Sequence, residues 1–306
     1  MIRVVATRVL GGLGVIAAVA TVCFFLLRAA PGGPFDSAAH MPNELQRNLE
    51  ERYHLRAPLW QQYTAYMAGL AHGDLGHSIK RPRTVTELIA AHFPVSARIG
   101  LGGLGMALGL GLAMGVAAAR RRDRWPDRAV MAIAMLGISV PSFVVGPMLV
   151  AAVSLRLGWL PPVRIDGPSG YVLPSITLGL VYTGAIARLT RAGLVDVLGQ
   201  DFVRTARAKG LAERGVVWRH ALRLGVLPVV TYLGPATAAL VSGSLVVEKI
   251  FQVPGLGFYF VNSIVERDYP VVTGMFVFYV AILVALNLVV DLVHGWIDPR
   301  IAQRPR

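Results

Sequence analysis

The sequence predicts an all-α integral membrane protein with six spans and both ends on the cytoplasmic side. Two observations carry that prediction. Of 306 residues, 55% are hydrophobic and 15% charged, with a mean hydropathy of +0.57. The apolar residues gather in runs close to the about 20 needed to cross a bilayer. The net charge of +13 is concentrated in the stretches between certain runs. That is the positive-inside pattern of a membrane protein, not a basic face for nucleic acid. The single cysteine, Cys23, lies inside an apolar run and gives no disulfide, metal or redox signature.

Arg3 and Arg8 precede an uncharged run from Val9 to Leu27. It exceeds the roughly 7–15 residues of a signal-peptide core, so 9–27 reads as a retained first span. Residues 28–93 form the one long polar segment, placed outside, with two amphipathic helices. Asn43 to Tyr53 aligns Leu45, Leu49 and Tyr53. Pro58 to Leu70 aligns Leu59, Tyr63, Tyr66, Met67 and Leu70, with Pro58 suited to a first turn. His72 and His77 have neither a carboxylate pair nor a cysteine beside them, so no metal site is expected.

The second span, 95–119, is rich in glycine and small residues that let helices approach closely, and Arg98 near its start can snorkel to the interface. A basic loop, 120–128, leads to a third span at 129–153, which Pro141 and Pro147 interrupt as kinks. A Gly/Pro-rich outer loop follows, then a fourth span at 171–187 with Arg188 and Arg191 at its exit. The fifth and sixth spans are 229–247 and 271–292, and Asp291 reads as an interfacial residue. With both ends inside, the inner segments hold Arg3, Arg8, the arginines of 120–128, the basic residues from Arg188 to Arg223, and Arg300, Arg304 and Arg306. The short outer loops hold only Arg156, Arg164, Lys249 and Arg267. The remaining outer cations lie in the long 28–93 segment or beside it, and long loops count little.

Two inter-span stretches stand out. Residues 201–228 carry Arg204, Arg207, Lys209, Arg214, Arg219 and Arg223 against Asp201 and Glu213. Asp201 suits an N-cap, and Phe202, Thr205, Ala206 and Lys209 follow at helical spacing. Gly210 breaks the run as a glycine just past a helix end would, and a second helix restarts near Ala212. Residues 248–270 contain a turn at Pro254-Gly255 and a short aromatic amphipathic helix behind it. No Gly-x-Ser-x-Gly, His-Glu-x-x-His or Gly-x-x-x-x-Gly-Lys-Ser/Thr motif is present. The chain therefore has no phosphate loop for ATP, no enzymatic constellation, and no carboxylate deep in a span of the proton-carrier kind.

Arg204-Thr-Ala-Arg-Ala-Lys-Gly-Leu211, with His220-Ala-Leu-Arg and Pro228 after it, resembles the cytoplasmic coupling loop of ABC-importer permeases. Arg204 stands where that loop usually carries Glu, and Leu222-Arg223 where it carries Leu-Pro; this version is similar to the peptide-transporting branch. Further pieces resemble the same branch: Pro31-Gly32-Gly33-Pro34, Tyr53-His54-Leu55, Pro58, Gln62-Tyr63, and Gly73-Asp74-Leu75-Gly76 with Ser78. Glu248, Ile250-Phe251, Pro254-Gly255-Leu256-Gly257, Arg267-Asp268-Tyr269-Pro270 and Asp298-Pro299-Arg300 complete the set. The resemblance runs from about Arg8 to Arg300 and is closest to the first, B-type, membrane subunit of oligopeptide permeases.

That resemblance implies a single permease domain, 1–306, in the bacterial inner membrane. It would form half of a peptide pathway with a second, homologous permease. Two ATPase subunits would supply ATP and Mg²⁺ chemistry, this chain binding no cofactor, and an extracytoplasmic peptide-binding protein would deliver substrate. The expected ATPase contact is Phe202, Arg204, Thr205, Ala206, Arg207, Ala208, Lys209, Gly210 and Leu211. Phe202, Ala206 and Leu211 would supply apolar contact, and Arg204, Arg207 and Lys209 would set register. The expected outer gate is Glu248, Phe251, Pro254, Gly255, Gly257, Arg267, Asp268 and Tyr269. Dipeptide, glutathione and nickel importers share the pattern and are the near alternatives. A membrane scaffold or receptor without transport is the alternative of another class; it has no need of the 201–228 run.

Overall fold

The computed structural model describes residues 2–30, 57–165 and 167–297. The expected helix at Asn43 to Tyr53, and the pieces Pro31 to Pro34, Tyr53 to Leu55 and Asp298 to Arg300, lie outside the described residues. Helix α1 is Ile2–Ala29, α2 Leu59–Ala71 and α3 Val85–Arg120. Next come α4 at Trp125–Ser139 and α5 at Ser142–Leu149, which continues as a π-helical stretch, Val150–Arg156. Helix α6 is Val172–Leu198 and α7 Asp201–Ala208. A run in three pieces, Glu213–Gly215, π-helical Val216–Ala221 and Leu222–Gly225, is α8. Helix α9 is Leu227–Val241, α10 Leu245–Ile250, α11 Leu256–Val265 and α12 Tyr269–Ile297. Among the described residues there is no strand, only one isolated bridge, His77 to Thr84.

Several expected boundaries move. Helix α3 starts ten residues ahead of the expected second span and carries Pro94 inside it. Thr84 starts it with a full capping box: its hydroxyl accepts from Glu87 N and Glu87 returns to Thr84 N. The fourth span runs on to Leu198, so Arg188 and Arg191 are within the helix rather than at its exit. The largest departure is the third span. Its two halves, Trp125–Ser139 and Ser142–Arg156, meet at an angle of 100°. The break falls at Val140-Pro141, where Val140 is extended, as the residue before proline prefers, and Pro141 becomes the N-cap of α5. Pro141 breaks the span where a kink was expected; Pro147 is accommodated inside α5. Five other helical stretches are long and apolar enough to cross a membrane.

The core is α3 laid along α6, and glycines make it close. A Cβ added at Gly103 would meet the backbone of Ser175 and Gly179, one at Gly111 the Thr183 carbonyl and Ile186, and one at Gly115 Ala187 and Thr190. Both helices run the same way. Leu173 at the start of α6 shares a cluster with Ile99 in the first half of α3, while Leu194 and Val197 at its end pack with Val116 and Ala119. At 1.5 Å per residue, the 36 residues of α3 make a rod of about 54 Å that joins both ends of the molecule. Helix α4 also packs on α6, where Gly184 faces the Ala134 carbonyl. Helix α9 meets α3 at Gly100 and Leu240 and meets α12 at Gly234 and Asn287.

Helix α1 lies on α12, joined by Gly12 against Val284 and by Arg8 to Asp291 at 3.1 Å. Asp291 thus has a partner in addition to its place near a helix end. Helix α2 lies on α1 through the face expected of it. The Thr21 and Tyr63 hydroxyls are 2.9 Å apart, and Phe24 stacks on Tyr66. Pro58 is the N-cap of α2 and not a first-turn residue, and Leu59 is turned out at 51% exposure.

These contacts set a paired test of the packing. A Cβ at Gly184 would sit 2.2 Å from the Ala134 oxygen, whereas one at Gly105 meets nothing within 4 Å. Gly184→Val should lower stability in detergent by about 1–3 kcal/mol or more, read as thermal unfolding, and Gly105→Val should leave it unchanged.

Candidate functional site

The two singled-out stretches lie at opposite ends of α3. At one end α7 is a two-turn helix whose inner side is Val203, 0% exposed, and Ala206, 7%. Both pack on Val116 and Ala119 of α3, on Leu194 and Val197 of α6, and on the π-helical part of α8. Gln200 is its N-cap, and Asp201 belongs to the first turn instead, where a carboxylate suits the helix dipole. Ala206, expected to face a partner, faces the core; the apolar side chains left outside are Phe202 and Leu211, each 39% exposed. Arg204, Thr205, Arg207, Ala208 and Lys209 are exposed around them. Val203 was missed; with Ala206 it sits at helical spacing on the same inner side, so periodicity alone could have found it.

The corner after α7 has a specific construction. Gly210 N donates to Arg207 O at 2.9 Å, and Leu211 N reaches back to Ala206 O at 3.3 Å. Those are the two bonds of a Schellman motif, and it requires a left-handed residue between them, Gly210 at φ +79°. No atom stands within 4 Å of a Cβ placed there, so the requirement is one of backbone conformation, not of space. Arg207 bridges the corner to Glu213, Nε to Oε1 at 2.6 Å. Both side chains are largely exposed, which limits that pair to about 1 kcal/mol or less.

At this end of α6 an ion pair ties it to the first turn of α4, which starts at Trp125, inside the expected 120–128 loop. Arg191 grips Asp127 with two hydrogen bonds of 2.6 Å, and Asp123 N donates to the same carboxylate at 2.9 Å. Asp127 is 2% exposed. Counting charges in a basic loop cannot find such a pair, because the partner lies 64 positions away.

At the other end, Glu248 is 1% exposed and closes a break in the chain. The N-terminus of α11 has no cap of its own at Gly255, leaving its first N–H groups without helical partners. Glu248 Oε2 accepts from Phe258 N at 2.7 Å, and Ser96 Oγ of α3 accepts from Leu256 N at 2.8 Å. The Ser96 hydroxyl in turn donates to Glu248 Oε1 at 2.7 Å. Three glycines make room: a Cβ at Gly243 or Gly255 would lie 2.4–2.5 Å from the carboxylate, and one at Gly257 3.2 Å. Asp268, just before α12, instead ties that turn to the stretch before α3, accepting from the Ser78 hydroxyl and from Ile79 N at 3.1 Å, with Arg81 Nη1 at 3.9 Å.

Most of the expected gate is therefore interior. Glu248, Phe251, Gly255, Gly257, Asp268 and Tyr269 are buried, Arg267 is half-buried, and Pro254 is exposed. Phe251 belongs to the cluster around Leu173 and Val247. Ser96 and Ser78, which complete the two carboxylate clamps, were not among the expected site residues. Among the described residues no three His, Cys, Asp or Glu side chains converge as metal ligands, and His72 Nδ1 lies 2.8 Å from the carbonyl of Ala68.

The clamp makes a double-mutant test. Ser96→Ala and Glu248→Ala should each destabilise the chain. Their combined effect in thermal unfolding should fall short of additivity by about 0.5–3 kcal/mol, because both cap one helix end.

Residues 109–303 match the family described as the binding-protein-dependent transport system inner membrane component. The chain is 41% identical over 305 residues to the oligopeptide transport system permease protein OppB of Salmonella typhimurium, covering 98% of this chain and 99% of that one. It is 41% identical to the dipeptide transport system permease protein DppB of Bacillus subtilis, with 92% of each covered. The glutathione transport system permease protein GsiC of Escherichia coli is 39% identical over 98% of this chain and 99% of its own length. A chain from the crystal structure of an amino acid ABC transporter shares the fold at TM-score 0.50 and 14% identity, covering 69% of this chain and 94% of that one. The chain belongs to the binding-protein-dependent transport system inner membrane component family.

Proposed function

We propose that this chain is the B-type permease subunit of an ATP-driven oligopeptide importer, forming half of the translocation pathway. The observation that carries the reading is 41% identity to an oligopeptide permease over virtually the whole of both chains. ATP and Mg²⁺ belong to two separate ATPase subunits; this chain binds no cofactor. A second, homologous permease completes the pathway, and an extracytoplasmic peptide-binding protein delivers the substrate. The dipeptide and glutathione permeases are nearly as similar, so those substrates stand as the second reading.

The chain crosses the membrane six times with both ends in the cytoplasm. Helices α3 and α6 run in the same direction, so the α4–α5 pair between them has to return the chain across the bilayer despite its 100° bend. The arginines of 120–128 and of 188–223 then fall on the cytoplasmic side, as the positive-inside rule asks. The domain is a single permease unit, 1–306.

In this reading α7 and its corner dock on an ATPase through Phe202 and Leu211, with Arg204, Arg207 and Lys209 around them. Val203 and Ala206 are the anchors on α3 and α6, so a displacement of α7 moves the two central helices as a rigid body. Coupling of this kind needs an element that does not bend. At the outer face the Glu248 and Asp268 clamps hold the 248–270 segment in shape, and Pro254 and Arg267 are the members of the expected gate left to meet a partner.

Gly210→Val tests the corner. A β-branched residue in the left-handed region costs about 1–2 kcal/mol. Peptide uptake should fall to background in reconstituted importer while the chain still inserts and recovers its partner permease. Normal uptake would remove the corner from the coupling mechanism. Mild-detergent purification with mass spectrometry checks the assembly itself; repeated recovery of the chain alone would overturn the importer reading.

A further inference from the structure

A cleft of about 380 Å³ opens between the early part of α3, the stretch before α6 and the turn after α10. Val95, Arg164, Ile165, Tyr171, Gln252 and Pro254 line it. That volume is at the lower end of the about 300–1,000 Å³ of small-ligand sites. Among the described residues four non-glycine residues have positive φ, and two of them, Arg164 at +68° and Gln252 at +51°, line this one cleft. Backbone held in that region persists only where its surroundings dictate it, and such residues gather at ligand sites. Here the constraint is visible. Arg164 N donates to Phe251 O at 2.9 Å, and Phe251 is 2% exposed in the core. The bond pins the segment carrying Arg164 to the turn carrying Gln252, so both are fixed at the same opening.

The chemistry of the opening is cationic and donor-rich. Arg98 stands at the rim, its guanidinium 5.8 Å from the Tyr171 ring and its Nη1 donating to the Tyr171 hydroxyl at 3.2 Å. That hydroxyl keeps its own proton for another acceptor. Among the described residues neither Arg98 nor Arg164 has an acidic partner. The carboxylate on the neighbouring α10, Glu248, is buried and engaged by Ser96 and Phe258.

We propose that this cleft binds the C-terminal carboxylate of a peptide, an inference that rests on the peptide-permease reading. Arg164 supplies charge-assisted hydrogen bonds to the carboxylate. The Gln252 carboxamide and the Tyr171 hydroxyl donate beside it, and Arg98 adds its charge at the rim. Val95, Ile165 and Pro254 form an apolar wall for the last residue without selecting its side chain. Recognition of the terminus alone suits a carrier of peptides of varied sequence.

Val95→Cys in a Cys23→Ala background places a thiol in the wall without touching a proposed donor. The purified complex without its binding protein would be labelled with a small water-soluble thiol reagent. A tripeptide with a free C-terminus should slow labelling, and its C-terminal amide should need roughly 10-fold more for the same protection. Arg164→Gln should abolish the difference and Arg164→Lys restore part of it. Equal protection by acid and amide, no protection, or a thiol that does not react would each overturn the proposal. Protection by the binding protein regardless of peptide would also overturn it, assigning the cleft to receptor docking. Failure of peptide uptake in the reconstituted importer, with carboxylate-selective protection intact, would instead remove the transport reading and leave the site.

Discussion

Everything in this structure depends on α3 and α6 lying against each other in parallel with glycine between them. Water drives soluble helices together by burying apolar surface, but lipid is as apolar as leucine, so contact in a membrane must come from close packing. Gly103, Gly111 and Gly115 recur along α3 where an added Cβ would run into the backbone of α6. A parallel pair of rods has a topological consequence. The chain leaving α3 must travel back along much of its length before it can begin α6, and the α4–α5 pair makes that journey. The bend at Pro141 takes it away from the straightest route.

The same pair holds the short helices in place. Short helices have too few internal bonds to hold themselves, and α7, α10 and α11 have eight, six and ten residues. Each is held by the long helices. Val203 and Ala206 of α7 pack on the ends of α3 and α6. The start of α11 takes one cap from Ser96 of α3 and another from Glu248 of α10. A single rod of about 54 Å thus carries the caps of one face and the packing surface of the other. The arrangement provides a physical route by which displacement at one end reaches the other.

How much of this the sequence discloses depends on whether the cause is local. Gly210 was legible, because a helix stop followed by a restart demands a left-handed residue and glycine is the residue that adopts it cheaply. The amphipathic α2 and the apolar runs were legible for the same reason. Ala206 was misplaced as a surface residue because a two-turn helix offers one repeat of its pattern, and Val203 three positions earlier decides which side is in. The burial of Glu248 and Asp268 was invisible. A carboxylate near a span end reads as interfacial until Ser96 and Ser78, 152 and 190 positions away, are seen to satisfy it. The sharp break at Pro141 lay between the two cases: proline marked the place, but only packing on α6 and α10 sets the angle.

Left-handed backbone is filled differently at the α7 corner and around the cleft. At the α7 corner the left-handed residue is a glycine, so the turn costs little and is stiff, and the ion pair that spans it is exposed and weak. Removing that charge would trim the corner; removing the glycine would rebuild it. At the opposite end glycines take some of the left-handed positions, Gly243 among them, but others fall on Arg164, Gln252 and Arg267, residues with long polar side chains for which that conformation is unfavourable. Glycine at those positions would give an easier turn and lose the donor. Holding a guanidinium or a carboxamide at a fixed place against the backbone's own preference is consistent with a surface that recognises something, whereas a hinge or a strut would have kept the glycine.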